Sequence, residues 1–367
     1  MTSDRDALVR AICASPREDT PRLAFADWLD EHGHAAHAAF VRSDVAMSLR
    51  DEWDAERLRW EADLVPNVLR RQPWFAAAFP EPPPTAGYSW GGPVLTRRGF
   101  RWAARVWPRA RPAYAAAPAL FAAHPIERLD FFDHAPDFAW LLAQPWFPRL
   151  TGLGWTAGRC PGSALRPLLK AAPPHLVELD LASHALNPDG TRALGASAVF
   201  RNLERLELYG VGPRVVAAAL DALAAAGPAL RLRTLKIGFD SLRTTAAALA
   251  ASLPPTLRVL SAAGTSLHSA GTRDLVEALV TSELKLLDLG SNGIGNEGAA
   301  AVFTSPRLAG LKVLNLKLCM VGDEALRVLL DSSPLADTLD LLDLTLSSAS
   351  GDMRQAVKDR MGDRVRW

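Results

Sequence analysis

Apolar residues recur along this chain with two different periods. From residue 126 onward a pattern of apolar-x-x-apolar-x-apolar returns at a spacing of roughly 27 residues. Leu176-Leu179-Leu181, Leu203-Leu206-Leu208, Leu232-Leu235-Ile237, Leu284-Leu287-Leu289, Leu311-Leu314-Leu316 and Leu339-Leu342-Leu344 are clean copies. Ile126-Leu129-Phe131, Leu150-Leu153-Trp155 and Leu257-Leu260-Ala262 are degenerate ones, nine copies in all. Side chains alternate across a strand, so the last two apolar positions of each copy point into a core while the residue between them faces solvent. One such strand buries too little to stand alone. Stacked copies make a parallel sheet whose return segments cover the other side of the core. Those segments carry helical spacing, as in Asn296-Glu297-Gly298-Ala299-Ala300-Ala301-Val302-Phe303 and Asp323-Glu324-Ala325-Leu326-Arg327-Val328-Leu329-Leu330. One continuous core is expected along the array.

The first 125 residues follow a helical period instead. Ser3 with Asp6 reads as a capping box, ahead of an apolar stripe of Leu8, Val9 and Ile12. Asp19-Thr20 before Pro21 starts a second helix, because proline suits the first turn, and Gly33 stops it. Leu23, Phe25, Ala26, Trp28 and Leu29 form its apolar face, with Trp28 expected to anchor the core. Helices around 38–49 and 51–64 follow. The expected organisation is a helical domain over 1–79, a linker and cap segment over 80–125, the repeat array over 126–350 and a terminal helix over 351–367. In that last segment Met353, Val357, Met361 and Val365 recur every four residues among charged neighbours.

Three residues past the last apolar position of each copy stands a polar residue that can satisfy buried turn backbone. Asn292 and Cys319 hold this place in the best copies, Thr265, Asp240, Ser347, His184 and His134 elsewhere, while Val211 and Gly158 break it. Period, strand pattern and helical returns resemble leucine-rich repeats of the ribonuclease-inhibitor type. The run Asp19-Thr20-Pro21-Arg22-Leu23-Ala24-Phe25-Ala26-Asp27-Trp28-Leu29-Asp30-Glu31, then Gly33 and Ala39-Phe40-Val41-Arg42, resembles the repeat-companion domain that precedes leucine-rich repeats in many bacterial proteins. The resemblance implies an α/β leucine-rich-repeat solenoid: a horseshoe with parallel strands on the concave face, helices outside, and an N-terminal α-helical capping domain. It implies no activity that can be carried onto particular residues.

Composition narrows the class of function. A net charge of +1 offers no general attraction to nucleic acid or anionic lipid. Cys13, Cys160 and Cys319 have neither disulfide-framework nor zinc-site spacing, and Cys319 reads as a buried structural thiol. The charged start Met1-Thr2-Ser3-Asp4-Arg5-Asp6 lacks the apolar run of a signal peptide, and no transmembrane stretch follows, so a cytoplasmic location is expected.

Three constellations invite chemistry. Asp27 and Glu31 share a helix face at i and i+4, a geometry that metals and general acids use; the structural alternative pairs them with Arg22 and Arg42. His32, His34 and His37 lie close in sequence but straddle a helix break, which argues for a solvated turn. Arg97-Arg98-Gly99-Phe100-Arg101-Trp102-Ala103-Ala104-Arg105-Val106-Trp107-Pro108-Arg109-Ala110-Arg111 interleaves arginines with aromatics, as a nucleic-acid contact would. Read with period 2, the same run is a capping strand, with Phe100, Trp102, Ala104 and Val106 on one face and Arg101 and Arg105 on the other.

The informative surface is the concave sheet. Between the paired leucines stand Asp130, Gly154, Asp180, Glu207, Lys236, Ser261, Asp288, Asn315 and Asp343. In the preceding row the last four residues, Val259, Leu286, Val313 and Leu341, are all apolar, a stripe on the order of 15 Å long at ordinary strand spacing. With Asp288, Asn315, Lys317 and Asp343 at its rim, this stripe reads as a partner-binding site. The expected function is that of a non-enzymatic scaffold binding a protein partner on the concave face, with no cofactor, no metal and no membrane contact. The alternatives are regulation of an enzyme, as in GTPase activators built on such repeats, and nucleic-acid binding through residues 97–111.

Overall fold

The computed structural model describes residues 4–67, 96–98, 100–101, 103–106, 112–132, 137–156, 162–182, 187–280 and 283–367. By compactness the chain divides into two units, residues 1–52 with 56–159, and residues 53–55 with 160–367. The division falls inside the repeat array. The first two repeats cluster with the helical segment.

In the first unit, helices α1 (Asp4–Ala14), α2 (Thr20–Glu31) and α3 (Ala35–Ser48) pack together, and α4 (Ala55–Asn67) follows. Their core is Ile12, Phe25, Ala26, Leu29, Ala38 and Val41, all nearly closed to solvent. Trp28 is only partly buried at the edge of this cluster, and Leu23 is exposed, so Phe25 is the anchor that Trp28 was expected to be. Pro21 stands in the first turn of α2 as its fixed φ requires, but the Asp19 side chain makes no capping bond. That carboxylate faces Arg98 instead, at 3.5 Å.

Residues 96–106 are not one strand. Thr96–Arg97 (β1) and Phe100–Arg101 (β2) pair antiparallel, and Phe100 enters the helical core. Ala103–Val106 (β3) then pairs in parallel with Arg128–Phe132 (β4), which pairs with Gly152–Thr156 (β5). Ala103 and Ala104 are both buried, and β3 is the last strand at this edge of the sheet among the described residues. In the degenerate first repeats, aromatic rings fill the space of the leucine layers: Trp155 is buried edge-on to Phe138, with ring centroids 5.7 Å apart.

The second unit carries β6 (Glu178–Ala182), β7 (Arg205–Tyr209), β8 (Thr234–Gly238), β9 (Val259–Ser261), β10 (Leu286–Asp288), β11 (Val313–Asn315), β12 (Leu341–Asp343) and β13 (Val365–Arg366). Successive strands are parallel and paired in register. The repeat leucines are closed to solvent, as with Leu179, Leu206, Leu235, Leu260, Leu287, Leu314 and Leu342. Return helices form where helical spacing was read, including Gly295–Thr304 and Asp323–Ser332. The terminal helix is shorter than its four-residue period suggests. It runs over Gly351–Met361, capped by the Ser350 hydroxyl, and ends where Gly362 turns with φ +61°. Val365 therefore joins the sheet edge rather than the helix.

Candidate functional site

Register sets two lines of side chains across the sheet of the second unit. One line reads Asp180, Glu207, Lys236, Ser261, Asp288, Asn315 and Asp343, extended by Arg366. The other reads Glu178, Arg205, Thr234, Val259, Leu286, Val313 and Leu341. Period 2 dictates both lines, because each strand presents the residues flanking its inward leucine to the same face.

The apolar stripe exists, but it is not the open surface its composition suggests. Val259, Val313 and Leu341 keep only 4%, 4% and 5% of their surface. Branched side chains in a parallel row stand about 4.8 Å apart, so each covers its neighbours' flanks. Leu286, between Val259 and Val313 in the register, remains half-buried.

The polar line is ordered by its own bonds. One Asp288 carboxylate oxygen accepts from Gly290 N–H at 3.0 Å, and the other accepts from the Ser261 hydroxyl at 2.8 Å. Asn315 accepts from Lys317 N–H and Asp343 from Thr345 N–H, both at 2.9 Å, so one turn closes three consecutive strands. Asp288, Asn315 and Asp343 are half-buried, and Lys317 is exposed. Farther along, Glu207 is nearly closed to solvent yet holds Arg205 at 2.6 Å and Lys236 at 3.3 Å, the pairing a buried carboxylate needs. The Tyr209 ring occupies the space above Gly238, where a Cβ would meet it at 2.5 Å. Burial first, then the Glu207 and Asp180 carboxylates, push its hydroxyl pKa upward, so it stays neutral.

A further group of side chains stands out only in three dimensions. Phe239, Leu318, Met320 and Leu346 are 79%, 45%, 61% and 66% exposed in the turns that follow the strands. The leucine pattern gives no reason for them. The available signal was an apolar residue where the neighbouring repeats place Gly264 and Ser291.

In the first unit two α2 carboxylates share Arg42, with Asp30 in the place expected for Glu31. Arg42 holds Asp27 at 2.8 Å and Asp30 at 2.6 Å, and these bonds raise its pKa. Arg22 does not join them. It is buried, donates to the Glu18 carbonyl at 2.8 Å and lies over the Phe100 ring. Desolvation, with Arg98 next, lowers its pKa to about 10, so it stays charged at neutral pH. His32 stacks on Trp28 at 4.1 Å, while His37 sits edge-on to Phe25. Of the arginine-rich run, Arg98 is engaged by Asp19 and the Arg17 carbonyl, and Phe100 is buried. Trp102 and residues 107–111 lie outside the described residues, as does Cys160. Cys319 is buried as expected, its pKa raised by desolvation, and its thiol donates to the Leu289 carbonyl at 3.0 Å. Among the described residues no helix is long and apolar enough to cross a membrane.

Residues 172–195 and 283–303 match the Leucine Rich repeat family. A search of curated proteins found no match. A chain of the yeast Rad7–Elc1 complex is similar, with 17% identity and a TM-score of 0.42 over 65% of this chain and 74% of that one. A protein from Bacteroides fragilis aligns with 14% identity and a TM-score of 0.42, over 69% of this chain and 82% of its own. An internalin, inlF, from Listeria monocytogenes aligns with 16% identity and a TM-score of 0.32, over 66% and 81%. The repeat match and the parallel, in-register strands show a leucine-rich-repeat solenoid with an N-terminal helical region.

Proposed function

We propose that the chain is a non-enzymatic binding module that holds a protein partner on the sheet face of its last four repeats. Its helical N-terminal segment is read as a repeat-companion domain that caps the array. The half-exposed polar line carries the reading. Asp288, Asn315 and Asp343 are fixed by turn bonds before any partner arrives, so little side-chain entropy is lost on contact. Leu286 lies among them as the apolar contact, Lys317 stands at the rim, and Val259, Val313 and Leu341 form the packed floor. Substitution of the half-buried residues can therefore remove binding without opening the core.

The experiment is affinity purification of the full chain from its native host, with mass spectrometry of retained proteins, beside Asn315→Arg and Asp343→Arg variants. A protein retained by the wild type and lost from both variants, each still folded by circular dichroism, is the expected result. Equal retention by the variants would remove this face from the proposal. A retained GTPase would favour regulation of an enzyme, and salt-sensitive nucleic acid would favour the arginine-rich run.

A further inference from the structure

We propose that the turn edge of the last three repeats docks a basic, amphipathic segment of a partner protein, with Leu318, Met320 and Leu346 as its apolar contacts. The proposal rests on the protein-binding reading above and moves the main anchor from the sheet face to the edge beside it. Backbone bonds set Leu318 beside Leu346, and Met320 follows two residues after Leu318. Ser291 N–H donates to Lys317 O at 2.8 Å and Leu318 N–H to Thr345 O at 3.0 Å, which sets Ser291, Leu318 and Leu346 in successive places of one row. Met320 leans the other way along the edge, its terminal methyl 3.1 Å from where a Cβ of Gly293 would stand.

Neither burial nor backbone preference explains these residues. Leu318, Met320 and Leu346 hold φ of +57°, +56° and +62°. A left-handed backbone costs an ordinary residue roughly 1 kcal/mol or more, which glycine avoids. Among other repeats Gly264 and Ser291 stand in the row of the leucines, with Phe239 the one other apolar residue there, and Ser266 and Gly293 stand in the place of Met320. Exposed apolar side chains close together on an unfavourable backbone mark a contact surface.

Charge identifies the occupant. The strands, turns and first helical residues of these repeats, 286–297, 313–324 and 341–352, carry Asp288, Glu297, Asp323, Glu324, Asp343 and Asp352 against Lys317 alone, in a chain of net charge +1. Cations from elsewhere reach this group only in part. Arg366 lies 4.0 Å from Asp343 and Arg273 lies 3.7 Å from a largely exposed Glu297, while Arg354 donates to the Ala349 and Ser347 carbonyls. Bonds from Ser350 hold the Asp323 carboxyl below its ordinary pKa, with Arg327 adding a smaller pull. An apolar edge framed by carboxylates complements a peptide that alternates aliphatic or aromatic residues with lysine and arginine. Anionic lipid and nucleic acid would be repelled by the same field.

A random peptide library displayed on phage, panned against the full chain, tests this. Enriched peptides should combine basic with apolar residues, and their retention should fall about tenfold or more on Leu318→Ser/Met320→Ser/Leu346→Ser and on raising salt. Serine already occupies the equivalent turn at Ser291, so this variant should melt no lower than the wild type. Peptides retained equally by the edge variant, peptides without basic excess, or no enrichment over an unrelated control protein would each overturn the edge proposal. Peptides lost on Asn315→Arg but kept by the edge variant would overturn it while leaving the sheet-face reading intact.

Discussion

Asp240 reaches back one repeat to close the turn at Val211. Its carboxylate accepts Val211 N–H at 2.9 Å and Gly212 N–H at 2.7 Å. Asn292 does the same for the preceding turn, accepting Thr265 N–H at 2.9 Å and Leu267 N–H at 3.2 Å while its amide donates to Ala262 O at 2.7 Å. The polar residue of one repeat thus serves the backbone of the repeat before it. Val211, which breaks the pattern in sequence, has its own turn satisfied by its successor.

Asn292→Ala should therefore destabilise the second unit by about 2–3 kcal/mol, because two buried N–H groups lose their acceptor. Asp240→Ala should act similarly. Urea unfolding followed by circular dichroism measures both, and a loss under about 0.5 kcal/mol would mean that water replaces the side chain.

Leu287→Asp should abolish the cooperative transition of the second unit. Leu287 is fully buried between Leu260 and Leu314 in the sheet register, and an unpaired carboxylate there costs several kcal/mol. Hydrogen exchange should then show lost protection across several repeats; loss confined to residues 286–288 would contradict a shared core in this unit.

In the helical segment, Phe25→Ala should cost about 3–5 kcal/mol as loss of a buried aromatic, and Trp28→Ala distinctly less, since Trp28 is partly exposed. Arg42→Ala should cost the least of the three, because its pairs with Asp27 and Asp30 are solvated. Thermal denaturation of the three variants gives the order, and a larger loss for Trp28→Ala than for Phe25→Ala would reverse the assignment of the anchor.

Burial first, then His34 and Arg5, lower the His37 pKa to about 4. The unfolded chain binds this proton near pH 6.5 and the folded chain only near pH 4, so between these values the unfolded state holds more protons. Stability contributed by neutral His37 is full above about pH 6.5 and is lost as pH falls toward 4. His37→Gln should flatten the pH dependence of the melting temperature across that window, and an unchanged slope would assign it to other groups.

Strand order, register and the identity of both surface lines were legible in the sequence, because alternation and repeat length together fix which residues neighbour across a parallel sheet. The helices of the N-terminal segment were legible too, from Pro21, Gly33 and their apolar stripes. Other features depend on contacts between residues far apart in sequence. Flank-to-flank packing closes Val259, Val313 and Leu341 while leaving Leu286 half-buried. Arg22 is drawn inward against the Phe100 ring and away from the carboxylates of its own helix, and Gly362 turns Val365 out of the terminal helix into the sheet. The exposed leucines of the turns show the limit from the other side. A period locates the residues that must be buried, but only the folded backbone, with its left-handed turns at Leu318 and Leu346, decides which apolar residues are left outside.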